Sequence, residues 1–138
     1  MNAQANAILT ERFSKDSLIA LATVEGNTPY VRAVDAYYLD GAFYCVTYAL
    51  SKKMRQIEKN PTVGLCGDWF TGHGVAENLG HVLLEENRAM MDILHPAFAG
   101  WYLLGHVNEE DPNTILLKVT LTHGELMKDG VKYIYTRD

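Results

Sequence analysis

The dipeptide Asp40-Gly41 stands between two runs rich in Val, Tyr and Phe, residues 30–39 and 42–49. It leaves little freedom in how that part of the chain folds. A two-residue loop of this composition suits a type I′ turn, whose twist matches the strands it joins. Leu39 then faces Ala42, and counting outward sets Val34 against Thr47 and Arg32 against Ala49. Because side chains two apart share a face, Arg32, Val34, Thr47 and Ala49 are expected to point the same way.

Similar reasoning covers the rest of the chain. Residues 3–13 carry apolar side chains at helical spacing, and residues 18–24 (LIALATV) form a β-rich run closed by Glu25-Gly26-Asn27. Residues 51–60 read as a helix with Ser51 as N-cap, stopped by Pro61. Two strands, 63–70 and 75–84, flank a glycine-rich connection at 71–74, and a second helix covers 85–95. Residues 97–113 have no regular period. A strand over 114–122 precedes a hairpin, 125–127 with 131–135, around Asp129-Gly130. Strands joined mostly by tight turns pair antiparallel, and a single sheet of this size removes its edges by curling into a barrel. The expected fold is mainly β: an antiparallel six-stranded split barrel with short flanking α-helices, one domain over residues 1–138.

With 48 % apolar and 21 % charged residues, the chain has the balance of a globular domain rather than of a disordered tail. A net charge of −5 argues against a nucleic-acid or anionic-membrane surface. Cys45 and Cys66 lie far apart in apolar runs, with no C-x-x-C spacing. There is no signal-peptide pattern and no apolar run long enough for a membrane span, so the cytoplasm is the expected compartment.

The charge pattern at residue 51 departs from the ordinary. Lys52 and Lys53 occupy the first turn of a helix, where the macrodipole disfavours cations by roughly 0.3–1 kcal/mol each. The hairpin register adds Arg32. A phosphate would satisfy the free N–H groups, the Ser51 hydroxyl and all three cations. The alternative is a solvated basic patch with Arg32 paired to a surface carboxylate. Val34, Thr47 and Ala49 leave a small smooth surface beside this cluster, and Trp69, placed on a later strand, either flanks a planar ligand there or packs in the core.

The segment VRAVDAYY…GAFYCVTYALSKKMRQIEKNPTVGL, followed by Trp-Phe-x-Gly-x-Gly-x-Ala-Glu at 69–77, resembles the pyridoxamine 5′-phosphate oxidase-like FMN-binding split barrels, and among them the short general stress protein branch. The resemblance covers about residues 14–122. It implies a homodimer with FMN at the interface, each site completed by the partner chain, and oxidoreduction of a small molecule through the flavin. It implies that Arg32, Ser51, Lys52 and Lys53 hold the FMN phosphate. Arg32, Ala33, Val34, Asp35, Val46 and Thr47 would line the ribityl chain and ring, with Trp69 near the flavin. The catalytic residue is left open. The tail VKYIYTRD has no counterpart of the oxidase's C-terminal Trp and Arg residues, which argues against vitamin B6 oxidation itself. A non-enzymatic flavin-binding module, or the same barrel holding haem or a deazaflavin, are the alternative readings.

The remaining signals are weaker. His73 and His81 would lie more than about 20 Å apart on a continuous strand, and His95, His106 and His123 show no ligand spacing, so no metal site is expected. Phe98, Trp101, Tyr102, Leu103 and Leu104 make residues 97–113 strongly apolar for a loop. Their burial is expected, partly against a second subunit.

Overall fold

The computed structural model describes residues 2–137. Its elements run α1 (Asn2–Phe13), β1 (Ser17–Glu25), β2 (Thr28–Leu39), β3 (Ala42–Tyr48), α2 (Lys52–Lys59), β4 (Thr62–Gly67), β5 (Phe70–His81), α3 (Arg88–Ala97), β6 (Thr114–Lys128) and β7 (Val131–Thr136). All pairings are antiparallel, in the order β3-β2-β1-β4-β5-β6-β7, and a further β3–β6 pairing closes six strands into a barrel. One edge of β6 is divided between two partners. Its first half pairs with β3, from Tyr48↔Thr114 to Ala42↔Thr120, and its second half with β7, from His123↔Thr136 to Lys128↔Val131. The seventh strand therefore extends the sheet outside the closed barrel.

The turn dipeptides behave as their chemistry requires. Asp40 and Gly41 have φ of 43° and 87°, and Asp129 and Gly130 have 52° and 78°, the two positive values a type I′ turn needs. Leu39 faces Ala42 as expected, but pairing between β2 and β3 stops at Tyr37↔Tyr44. Beyond that point β3 follows β6 while β2 follows β1, with Arg32 opposite Leu21. The expected Val34–Thr47 and Arg32–Ala49 pairs do not form: past Tyr37↔Tyr44 the two strands diverge, β3 staying on β6 and β2 on β1. That divergence is the split in the barrel.

Three other expectations are corrected. The glycine-rich stretch at 71–74 is strand, and the connection is Asp68-Trp69. These glycines serve close approach rather than turning: a Cβ on Gly72 would come within 2.6 Å of the His123 carbonyl, and one on Gly74 would press on that of Thr120. Residues 114–128 form one strand, not a strand followed by a separate hairpin. The second helix begins at Arg88, after a short 3₁₀ turn over Glu85–Asn87.

Inside the barrel, Phe13 from α1 meets Phe43 and Phe70 at centroid distances of 5.7 and 5.6 Å, and Tyr38 stands edge-on to Phe43 at 5.2 Å. Ile19, Leu21, Leu117, Leu121 and Leu126 complete this core. A second cluster lies on the outer face, where Met91 and Leu94 of α3, with Phe98 and Tyr102, cover Leu116 and Val82. Phe98 and Tyr102 are buried as expected, whereas Leu103 and Leu104 are 82 % and 69 % exposed. Among the described residues no helix is long and apolar enough to cross a membrane.

Candidate functional site

The split between β2 and β3 holds the candidate site. Where the strands part, residues from both faces line one gap: Val34 and Asp35 on β2, Cys45, Val46 and Thr47 on β3, and Lys53 from α2. Trp101, His106 and Val107 close it from outside, giving a chamber of about 220 Å³. A second chamber of about 310 Å³ shares Val46, Thr47, His106 and Val107, and runs on to Tyr48, Asp111 and Thr114. The two form one elongated cleft between β3 and the segment after α3.

α2 sets the polar end of the cleft. Ser51 has extended φ/ψ, and its hydroxyl accepts a bond from the Met54 amide at 3.4 Å. The amides of Lys52 and Lys53 belong to the first turn, which has no intrahelical acceptor to offer them. Lys53 folds back over this turn, donates to the Thr47 hydroxyl and passes within 3.5 Å of that of Ser51. Its ammonium is half-buried, and burial first, then nearby Arg32, lowers its pKa.

The other two cations do not converge on the same point. Arg32 donates to the Leu21 carbonyl at 3.1 Å, to the buried Thr23 hydroxyl at 2.8 Å and to Gln56 at 3.3 Å. It reaches α2 through the middle of the helix rather than through its start. Lys52 turns to the other side of α2, its ammonium 4.5 Å from the centre of the Tyr30 ring. Of the sequence-selected residues, Val34, Asp35, Val46, Thr47 and Lys53 line the cleft and Ser51 adjoins it. Arg32 stands behind it, and Ala33 is exposed on the outer face of β2.

Trp69 lies elsewhere. It occupies the β4–β5 turn, 71 % exposed with φ 50°, not a strand. Arg12 of α1 holds this turn by donating to the carbonyls of Asp68, Trp69 and Met127 at 3.0–3.2 Å. Met127 and Thr47's neighbour Ile115 mark opposite ends of β6, so Trp69 cannot reach the cleft of its own chain.

Two side-chain groups were not selected from the sequence. Asp16 accepts a bond from the Trp101 indole at 3.0 Å and lies beside Asp35, whose carboxyl is pushed up by burial, then by hydrogen bonding with Asp16 and by its charge. Glu109 accepts from the Tyr102 hydroxyl and from His95, both at 2.6 Å, and His81 bonds the Glu109 carbonyl. Burial raises the Glu109 carboxyl, but its partners outweigh burial and hold it below its usual range. These contacts fix the outer wall of the cleft. Their only sequence signal was the length and aromatic content of residues 97–113. Cys45, at the base, is fully buried and its thiol is pushed up to about 12 by that burial, so it is no thiolate nucleophile.

Solved structures of the same fold include General Stress Protein 26 from Bacillus anthracis, 21 % identical, covering 94 % of this chain and 98 % of that one with a TM-score of 0.70. A NimC/NimA family protein from Clostridium acetobutylicum is 21 % identical over 96 % and 93 % of the two chains, TM-score 0.67. An FAD-binding protein from Mesorhizobium loti is 17 % identical over 86 % and 90 %, TM-score 0.65. No curated protein matches the sequence. The sequence model of the pyridoxamine 5′-phosphate oxidase family matches residues 6–128, the stretch that builds the barrel, the split and α2, and by that match the chain belongs to the pyridoxamine 5′-phosphate oxidase family.

Proposed function

We propose that this protein is an FMN-dependent oxidoreductase of a small molecule, acting as a homodimer with one flavin per subunit. The observation that carries the reading is the junction of Lys53, Thr47 and Ser51 at the end of an elongated cleft of mixed polar and apolar lining. A phosphate there meets a desolvated ammonium, two hydroxyls and the free amides of the first turn of α2. The cleft continues from that point along Val46 and Val107, which suits a planar ring. Arg32, held on Thr23 and Gln56, adds positive potential behind the phosphate, and Val34 and Asp35 line the chain between phosphate and ring. Bound flavin supplies the capacity to accept and return a hydride. The protein's part is to bind, orient and exclude water.

The dimer is supported by the outer face of β1 and β2. Leu18 and Val31 are each 69 % exposed, and Ala20, Ala22 and Ala33 lie between them on the same face. A flat apolar sheet face of this kind is costly in water and suits a second copy of the chain, related by a two-fold axis. In that arrangement Trp69 would serve the other subunit's flavin, since its own cleft is out of reach.

The test is the absorption spectrum of the purified protein, followed by anaerobic addition of NADH or NADPH. The expected result is a flavin spectrum that bleaches with a pyridine nucleotide and returns with an electron acceptor. A haem or deazaflavin spectrum would replace the cofactor assignment. A flavin spectrum with no turnover would leave a binding module in place of an enzyme.

A further inference from the structure

α2 carries basic side chains toward two different sides. Lys53 enters the cleft, while Lys52, Arg55 and Lys59 follow one another along the opposite side of the helix. They line a separate concavity against the β1–β2 turn, walled by Val24, Glu25, Gly26 and Asn60. At about 620 Å³ it is larger than either chamber of the flavin cleft. Among the described residues the ion pairs engage His95, His123, Lys128 and Lys132, and none engages these three cations. The carboxylate in the lining, Glu25, accepts a bond from Gln56 Nε2 at 3.2 Å.

Like charges one helical turn apart repel by a few tenths of a kcal/mol per pair, and a concave wall focuses their field. In a chain of net charge −5, three unpaired cations in one hollow reverse the general balance of the surface. Their spacing also bears on the ligand. From Lys52 to Lys59 the helix rises by about 10 Å at 1.5 Å per residue. One phosphate cannot meet that whole row, whereas two linked phosphates can.

We infer that this concavity binds the diphosphate of an adenine nucleotide, as part of a dinucleotide used in the flavin reaction. The inference rests on the flavin reading for its purpose. The source is a separate pyridine dinucleotide that delivers the hydride; a flavin dinucleotide brings only its adenylate phosphate here, because its other phosphate is the flavin's own and lies at Lys53 on the far side of α2.

The experiment is calorimetric titration of ADP, and of AMP for comparison, into the purified protein with FMN added. The variant is Arg55→Ala combined with Lys59→Ala, two exposed positions outside the flavin cleft. Saturable ADP binding is expected, with AMP weaker. The double variant should lose about tenfold or more in ADP affinity while keeping FMN affinity and thermal midpoint. If FAD binds more tightly than FMN and the double variant erases the difference, the nucleotide in the hollow is the flavin's own adenylate, with a single phosphate, and the diphosphate inference is overturned. If FMN and FAD bind alike while ADP still binds the FMN-loaded protein, it is a separate dinucleotide. Absence of saturable ADP binding, or ADP affinity unchanged in the double variant, overturns the inference. ADP binding at this site in a protein that takes no flavin would overturn the flavin reading and leave this site standing.

Discussion

Lys53 and Thr47 are joined beside the split of the barrel: the ammonium leaves the first turn of α2 and donates to the hydroxyl on β3. The contact ties the helix to the strand that β2 has released. It also holds a cation, in a place where burial works against its charge, next to free amides. An anion relieves all of these at once.

Lys53→Ala should therefore weaken FMN binding by roughly tenfold to a hundredfold, the worth of one charge-assisted contact of about 1.5–3 kcal/mol. Lys52→Ala should cost less, because that side chain lies over Tyr30. Riboflavin, without a phosphate, should bind wild type and Lys53→Ala alike. Equal losses for FMN and riboflavin in a fluorescence-quenching titration would remove the phosphate from this place.

Replacing Trp69 by Gly separates fold from site. The residue has φ 50° and is exposed, so glycine relieves a left-handed backbone that costs an ordinary residue about 1 kcal/mol. Urea unfolding of the flavin-free protein should show unchanged or slightly higher stability, while flavin affinity of the dimer falls. Unchanged flavin affinity would show that Trp69 serves no site in either subunit.

Asp35 gives a pH dependence with a definite sign. Its folded pKa is raised by burial and by Asp16, so the ionised side chain costs stability above that folded pKa, and the cost disappears below the ordinary aspartate range. Asp35→Asn should raise the thermal midpoint at pH 7, with the gain shrinking as the pH falls through the raised folded pKa and gone below about pH 4. A gain that persists undiminished in acid would mean that charge is not its cause.

Glu109 has the opposite sign. With its pKa held below the usual range by Tyr102 and His95, it contributes stability present above its unfolded pKa and lost as the pH falls through the folded value. Glu109→Gln should speed amide hydrogen exchange in residues 98–113 at pH 7 and leave the barrel strands unchanged.

Phe43 touches Phe13, Tyr38 and Phe70 in the centre of the barrel. Phe43→Ala should cost about 3–5 kcal/mol in urea unfolding. A cost near 1 kcal/mol would mean the aromatic cluster collapses around the gap.

What could be read from the chain beforehand follows the range of the forces involved. The Asp40-Gly41 and Asp129-Gly130 turns, the Ser51 cap and the strands beside them depend on neighbouring residues and were legible. So was the convergence of Val34, Thr47 and Lys53 on one cleft, although the register offered as the reason fails at Tyr37↔Tyr44. Past that point β3 stays on β6 and β2 on β1, pairings between segments remote in sequence that no local count contains. Gly72 and Gly74 misled because glycine marks both turns and close strand approach. The Asp16–Trp101 bond and the Glu109 contacts link residues remote in sequence, through side chains with no pattern.

β6 carries a further consequence, for the order in which the molecule can be assembled. It follows every other barrel strand in the chain, yet it alone bridges β3 and β5. Until residues 114–128 leave the ribosome, the preceding strands form at most an open sheet with both terminal edges unpaired and its aromatic interior wetted. Closure waits on contacts of long sequence separation, which are slow to form, and the waiting intermediate presents edges ready for strand exchange. Chains arrested before β6 should aggregate on release, and the folding yield of the whole protein should depend on how fast that one strand is delivered.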